Sequence, residues 1–368
     1  MKIRYLACLA AGGLLLLTGC ERPPVDAVQT GFRGVGMEHI ANPRTLQDSV
    51  NAIAERVPTV PDTPASDQEP APEGTWENVQ VLGHLSEEEF NRTMLALTTW
   101  VAAETGQGCN YCHVIEDDGE VNFVSDDIYT KVVSRDMIRM TQDLNENWQS
   151  HVGEAGVNCW TCHQGQTKPA NYWFYDPNPD TVDYNRYYSD QEGIRVISQN
   201  ALSGDSDNER DIWDTRHLYW LMIDMSEQLG VNCTYCHTSA RFSDWEESPP
   251  QRVQALRGVR MTRHMNQEYM APLDPHWPDD QRGVLGDGPK MQCATCHAGA
   301  YVPQYGLPAT NAELWPGLQR IGDPHPGSPE YNPGTPAMMS AGQAARALGL
   351  HPSEARTAPQ DQQDDDQD

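Results

Sequence analysis

The chain has 368 residues, 53 Asp plus Glu against 25 Lys plus Arg for a formal charge of -28, and 10 cysteines. Such length excludes a small disulfide scaffold, and such acidity excludes a nucleic-acid binder, whose affinity comes from neutralising phosphates. Length by itself suggests two domains, or one domain enlarged by something other than polypeptide.

At the start, Lys2 and Arg4 precede an apolar run from Leu6 to Leu17, and Leu17-Thr18-Gly19-Cys20 follows. This pattern reads as an export signal over residues 1–19 whose apolar core is short for a membrane span. Cys20 after small residues resembles the lipobox of bacterial lipoproteins and is expected to be the lipid anchor; an incidental free thiol is the alternative. Cys8 lies inside the signal. Residues 20–74, rich in proline, read as an extended tether.

The first helix is predicted after a capping box at Ser86-Glu87-Glu88-Glu89, with Phe90, Met94, Leu97 and Val101 on one stripe and Gly106 and Gly108 as its stop. Cys109-Asn110-Tyr111-Cys112-His113 follows. The second helix carries Val133, Met137, Met140, Leu144, Trp148 and His151 on to Gly153, ahead of Cys159-Trp160-Thr161-Cys162-His163. Leu218, Met222, Met225 and Leu229 make the stripe of the third, which ends at Gly230 before Cys233-Thr234-Tyr235-Cys236-His237. Ser248-Pro249 is the predicted start of the fourth and Pro272 its end, ahead of Cys293-Ala294-Thr295-Cys296-His297. Residues 309–368 turn rich in Pro, Gly and Ala and end in an acidic tail expected to be disordered.

Apart from Cys8 and Cys20, the cysteines fall without remainder into four C-x-x-C-H units. This is the c-type haem attachment sequence: two sulfurs bond the porphyrin edge, and the next His reaches the iron. Zinc sites and disulfides also use paired cysteines, but neither requires a His after every pair. Four haems are therefore expected, with His113, His163, His237 and His297 as proximal ligands.

Electron transfer without catalysis needs a second axial ligand on each iron. Met94 stands 15 residues before Cys109, Met137 22 before Cys159 and Met222 11 before Cys233. Each can fold back over its own haem, with Met140 and Met225 as rivals on the same stripes and core packing as the bland reading. Aligning Arg139-Met140-Thr141 on Arg260-Met261-Thr262 puts Gly258 where Met137 stands, so the fourth haem needs an outside ligand. His151, expected about four turns beyond Met137 on the same helix, is preferred to His264, Met265 and His276. Arg257, Arg260 and Arg263 are candidates to neutralise haem propionates, or simply a solvated face.

The alignment exposes a repeat, since Ala155-Gly156-Val157-Asn158-Cys159 also matches Leu229-Gly230-Val231-Asn232-Cys233. The expected fold is mainly α with much irregular structure, a multihaem cytochrome of two helix-haem-helix-haem units, residues 75–200 and 201–308.

With its lipobox, its four motifs in two repeats, a Met ahead of three of them and His151 ahead of the second, the chain resembles the tetrahaem cytochrome subunit of bacterial photosynthetic reaction centres. The resemblance covers the anchor and about residues 75–308. It implies Met/His ligation by Met94, Met137 and Met222 and bis-His ligation of the last haem by His151 and His297. It also implies a place on the periplasmic side of the L and M subunits, where the subunit re-reduces the photo-oxidised bacteriochlorophyll pair. A soluble carrier such as cytochrome c2 or a high-potential iron-sulfur protein would refill it.

The chain thus reads as an electron wire and not a catalyst. Its charge should steer a basic carrier, with Glu116, Asp117, Asp118 and Glu120 as part of a landing patch or as a solvated loop. A saline habitat is another source of such acidity. The alternatives are a respiratory periplasmic wire and a multihaem reductase, which would keep one iron open.

Overall fold

The computed structural model describes residues 26–29, 38–41, 43–58, 63–153, 156–177, 184–189, 212–240, 242, 244–307 and 314–319. The signal, Cys20 and the acidic tail lie outside these residues. What is described is mainly helical with irregular connections and few strands. Two antiparallel pairs occur, β1 (Asp26–Gln29) with β2 (Glu38–Ala41), and β3 (Val114–Ile115) with β4 (Val121–Asn122). The helices are α1 (Pro43–Ala54), α2 (Glu87–Trp100), α3 (Tyr129–Asn147), α4 (Gln149–Val152), α5 (Cys159–His163), α6 (Ile212–Leu229), α7 (Gln251–Met265) and α8 (Cys293–His297). Among the described residues, no helix is long and apolar enough to cross a membrane.

The capping box of α2 forms as its sequence requires: Ser86 Oγ accepts from the Glu89 N–H, and the Glu89 carboxylate accepts from the Ser86 N–H. The helix stops at Trp100, short of the predicted glycines, because Trp100 is buried against Trp315 at a ring separation of 4.6 Å and the chain turns there.

The second helix is not continuous. It ends at Asn147, and buried Trp148 leaves helical geometry at φ -119, ψ 21. His151 then stands on the separate turn α4, so the expectation of one unbroken helix carrying both Met137 and His151 is corrected. A helix that ran on would keep the direction of α3; the break lets α4 pack against α7.

The fourth helix begins at Gln251, two residues later than its Ser-Pro signal suggests, because Pro249 and Pro250 both lack the N–H of a helical interior and serve as the cap. Pro272 does not end the helical path. A π-turn over Asn266–Met270 runs straight into a 3-10 stretch, Ala271–His276, whose first turn tolerates the proline.

Apolar side chains gather in several clusters among the described residues. One joins Met140, Leu144, Trp148, Met265, Met270 and Met291, another Trp173, Tyr187, Tyr188, Leu221, Met225 and Val259. The first couples α3 and α7 to the segments that lead into the second and fourth motifs, and the second couples α6 and α7 to Cys293 of the fourth.

Candidate haem sites

The four motifs adopt two local forms. The second and fourth are the short helices α5 and α8, each entered through a polar cap: Asn158 exchanges bonds with Thr161, and Gln292 with Thr295. The first and third are 3-10 turns, Gly108–Tyr111 and Cys233–Tyr235. Both helical motifs leave through a left-handed residue, Gln164 at φ 49 and Ala298 at φ 47.

That exit turn has a chemical result. It brings a backbone carbonyl onto each motif histidine, Gln166 O to His163 Nδ1 and Ala300 O to His297 Nδ1, both at 2.9 Å. The Phe242 carbonyl does the same for His237 at 2.7 Å. An Nδ1–H held by a carbonyl leaves Nε2 with its lone pair outward, the form in which imidazole ligates metal. His113 departs from this pattern: its Nδ1 is buried without a hydrogen bond, and the Phe123 ring lies edge-on at 4.9 Å. Burial depresses all four rings, His237 to about 4, so that they stand neutral.

His151 is tied in the same way, its Nδ1 at 3.0 Å from the Gln254 carbonyl. Its ring lies 6.2 Å from that of His297, centroid to centroid, with the two planes inclined at 62°. Two imidazoles bound to opposite sides of one metal ion, at about 2.0 Å per bond, have centroids about 6 Å apart. Burial first, then the charges of His297 and Arg257, hold His151 down at about 4 against the Gln254 carbonyl. Its three rivals are elsewhere engaged: His264 pairs with buried Asp143 at 2.9 Å, Met265 is core, and His276 is exposed.

Met137 lines a cavity together with Cys159, Cys162 and His163, the members expected for the second haem, and Met140 lines it too. Met94, on α2, packs beside Leu82, Leu85 and Ile138, and α2 contacts the first motif. Met222 lies on α6 against the cluster that includes Cys293, and α6 contacts the third and fourth motifs alike.

The cysteines show one departure from expectation. Cys109, Cys112, Cys159, Cys233, Cys236 and Cys293 are free thiols, but Cys162 and Cys296 are joined in a disulfide. The sequence reading set disulfides aside; the fold brings the second cysteines of motifs two and four face to face, Cα to Cα at 4.1 Å. Disulfide and thioether are alternative fates of one sulfur. Burial pushes the Cys159 and Cys236 thiols up to about 12 and that of Cys293 to about 11.

Side-chain and backbone contacts join the segments around neighbouring motifs. The Glu104 carboxylate takes the Thr167 hydroxyl and N–H, each at 2.7 Å, linking the exits of the first helix and the second motif. Gly230, at φ 63, sits so close to the Gly299 carbonyl that no side chain fits, which joins the entry of motif three to the exit of motif four.

Sequence reasoning missed the two asparagine clamps. Asn145 donates to the Val157 carbonyl at 2.9 Å and accepts its N–H at 2.7 Å; Asn266 makes the same pair of bonds with Met291, at 2.9 and 2.7 Å. Each clamped residue stands two before a motif cysteine. The repeat alignment put these asparagines in register, and that register was the available signal.

Beside the first motif, Lys131 donates to the carbonyls of Phe123, Val124 and Ser125, and Arg135 grips Asp126, which keeps that carboxyl well below its usual range. The β3–β4 turn thereby presents Glu116, Asp117, Asp118 and Glu120 next to exposed Ile115, Phe123 and Val124.

The family described as "Photosynthetic reaction centre cytochrome C subunit" matches this chain twice, over residues 21–184 and 181–319. The photosynthetic reaction center cytochrome c subunit of Rubrivivax gelatinosus is 40% identical over 343 residues, 84% of this chain and 88% of that protein. Its namesake in Thermochromatium tepidum is 38% identical over 330 residues (83% and 78%), and that of Roseobacter denitrificans 40% over 332 (81% and 88%). This chain belongs to the photosynthetic reaction centre cytochrome c subunit family, electron-transfer proteins that carry covalently bound c-type haem and partner with the reaction centre.

Proposed function

We propose that the chain holds four haems and returns electrons to the photo-oxidised bacteriochlorophyll pair from the periplasmic side of the L and M subunits. The observation that carries this reading is the neighbouring pair His151 and His297, 6.2 Å apart between ring centroids, each with Nδ1 spent on a carbonyl and Nε2 left for a metal. When bound, haem supplies reversible one-electron chemistry at iron. The chain's own groups do the rest. Cys109 and Cys112, Cys159 and Cys162, Cys233 and Cys236, and Cys293 and Cys296 would attach the porphyrins, each reacting as a thiol, so Cys162 and Cys296 would be held apart as reduced thiols in the chain that takes up haem. His113, His163, His237 and His297, together with Met94, Met137, Met222 and His151, would hold the irons. With all eight so engaged no position would remain for a substrate, and the chain reads as a wire and not an enzyme.

The two asparagine clamps, and the meeting of Cys162 with Cys296 at equivalent motif positions, support two pseudo-repeated units over residues 75–200 and 201–308 related by an approximate twofold. Residues 1–19 are the signal, 20–74 the lipid-anchored segment beginning at Cys20, and 309–368 the acidic end. A basic soluble carrier such as cytochrome c2, or a high-potential iron-sulfur protein, delivers electrons; the acidic turn and apolar patch beside His113 suit the former.

The test is a pyridine haemochrome assay of the purified protein with flash spectroscopy of membranes containing it. Four haem equivalents, oxidised after a flash, are expected. Fewer equivalents, or haems that stay reduced while the pigment pair recovers from another source, would overturn the reading.

A further inference from the structure

Arg257 is buried, with 8% of its surface exposed, on the face of α7 that looks at α4. Its Nη1 donates to the Ser150 carbonyl at 3.2 Å and lies 3.5 Å from the Gln254 side-chain oxygen. Its Nε and Nη2 are buried and have no hydrogen-bond partner, and among the described residues no carboxylate pairs with it. An enclosed guanidinium with two unmet donors is strongly unfavourable unless an anion completes it, and the fork of Nε and Nη2 matches the two oxygens of a carboxylate. The residue is well placed for one. Ser150, to which it donates, precedes His151, and Gly258, which follows it, lies directly against the His151 ring.

We propose that Arg257 binds a propionate carboxylate of the haem ligated by His151 and His297, through Nε and Nη2. This rests on the haem reading above. Arg260 and Arg263, grouped with Arg257 by sequence, do not share the role: Arg260 is exposed, and Arg263 donates to the Tyr187 carbonyl at 2.9 Å. A buried positive charge at the haem edge disfavours the oxidised, more positive haem, and so raises its potential.

The experiment is a spectroscopic redox titration of the purified wild type and of Arg257→Gln and Arg260→Gln, with haem counted in each. Arg257→Gln is expected to keep four haems and the bis-His signature in electron paramagnetic resonance. At a fixed potential, its oxidised-to-reduced ratio for that haem should rise about tenfold, which is about 59 mV for a one-electron couple. Arg260→Gln should superimpose on the wild type. An unmoved ratio in an Arg257→Gln protein with four haems overturns the proposal while leaving the haem reading intact; fewer than four haems in the wild type overturns both. A shifted ratio accompanied by loss of the bis-His signature assigns Arg257 to seating His151 alone, and overturns the propionate contact. If Arg257→Gln does not accumulate, Arg257→Lys replaces it, read by the propionate bending band in resonance Raman spectra. A displaced band supports the contact, and an unchanged one removes it.

Discussion

Gly258 is the floor on which the His151 ring rests: a Cβ built there would stand 2.6 Å from Cε1 and 3.0 Å from Nε2 of that ring. Sequence alignment placed this glycine where the other repeat has Met137. The position thus holds a glycine where the imidazole carried by α4 needs room.

Gly258→Ala should therefore push the imidazole off its seat, since its other side is tethered to the Gln254 carbonyl. The expected result is conversion of one haem from the bis-His to a high-spin, carbon-monoxide-binding form, with the other three unchanged. Optical and electron paramagnetic resonance spectra of the variant decide it, and a low-spin bis-His signal of full intensity would count against the seat.

The asparagine clamps predict a paired stability effect. Removing either side chain orphans a backbone N–H and a carbonyl in a buried place, at about 1 to 3 kcal/mol for each group. Asn145→Ala should weaken the approach to the second motif and Asn266→Ala that to the fourth, each lowering chemical stability by a few kcal/mol and reducing haem attachment at its own motif. Denaturant melts and haem-peptide mapping would test this, and equal loss at all four motifs would sink the local assignment.

Cys162 and Cys296 give a chemical prediction, because a sulfur in a disulfide cannot also bond a porphyrin. Chain produced without haem attachment should yield, on a non-reducing peptide map, one linked pair joining motif two to motif four. Haem-loaded protein should yield none. A persisting linkage in the loaded protein would leave the second and fourth haems with a single thioether each.

Glu88 predicts a pH effect. The Ser66 hydroxyl donates to it at 2.6 Å, and the N–H groups of Ser66 and Asp67 at 3.1 Å each. These bonds, led by the hydroxyl, hold its carboxyl at about 2 against an ordinary 4.5. A depressed folded value means that the folded state binds the proton less readily than the unfolded one. The contribution is complete above about 4.5 and fades as pH falls toward 2. Glu88→Gln should flatten the stability profile in that window, and parallel profiles for the two proteins would refute the claim.

Covalent chemistry was legible in the linear chain. C-x-x-C-H is a contiguous pattern, so the expectation of haem attachment at the eight cysteines and four following histidines needs no fold, and the capping box at Ser86 and the periodic stripes carrying Met94, Met137 and Met222 mark helices that form. Order along the chain also exposed the repeat, through which Gly258 and the need for an outside ligand became visible.

What only the tertiary structure decided concerns groups distant in sequence. That Trp148 breaks the second helix, that His151, preferred on spacing along an unbroken helix, reaches His297 from a separate turn, and that Cys162 faces Cys296 depend on how α4, α7 and α8 pack. The same holds for Arg257: its sequence marks it only as one of several arginines on a helix, and burial beside Ser150 and His151 singles it out. Local patterns fix what a short segment can bond to itself, whereas a ligand, a clamp or a buried charge is defined by the partner that folding brings to it.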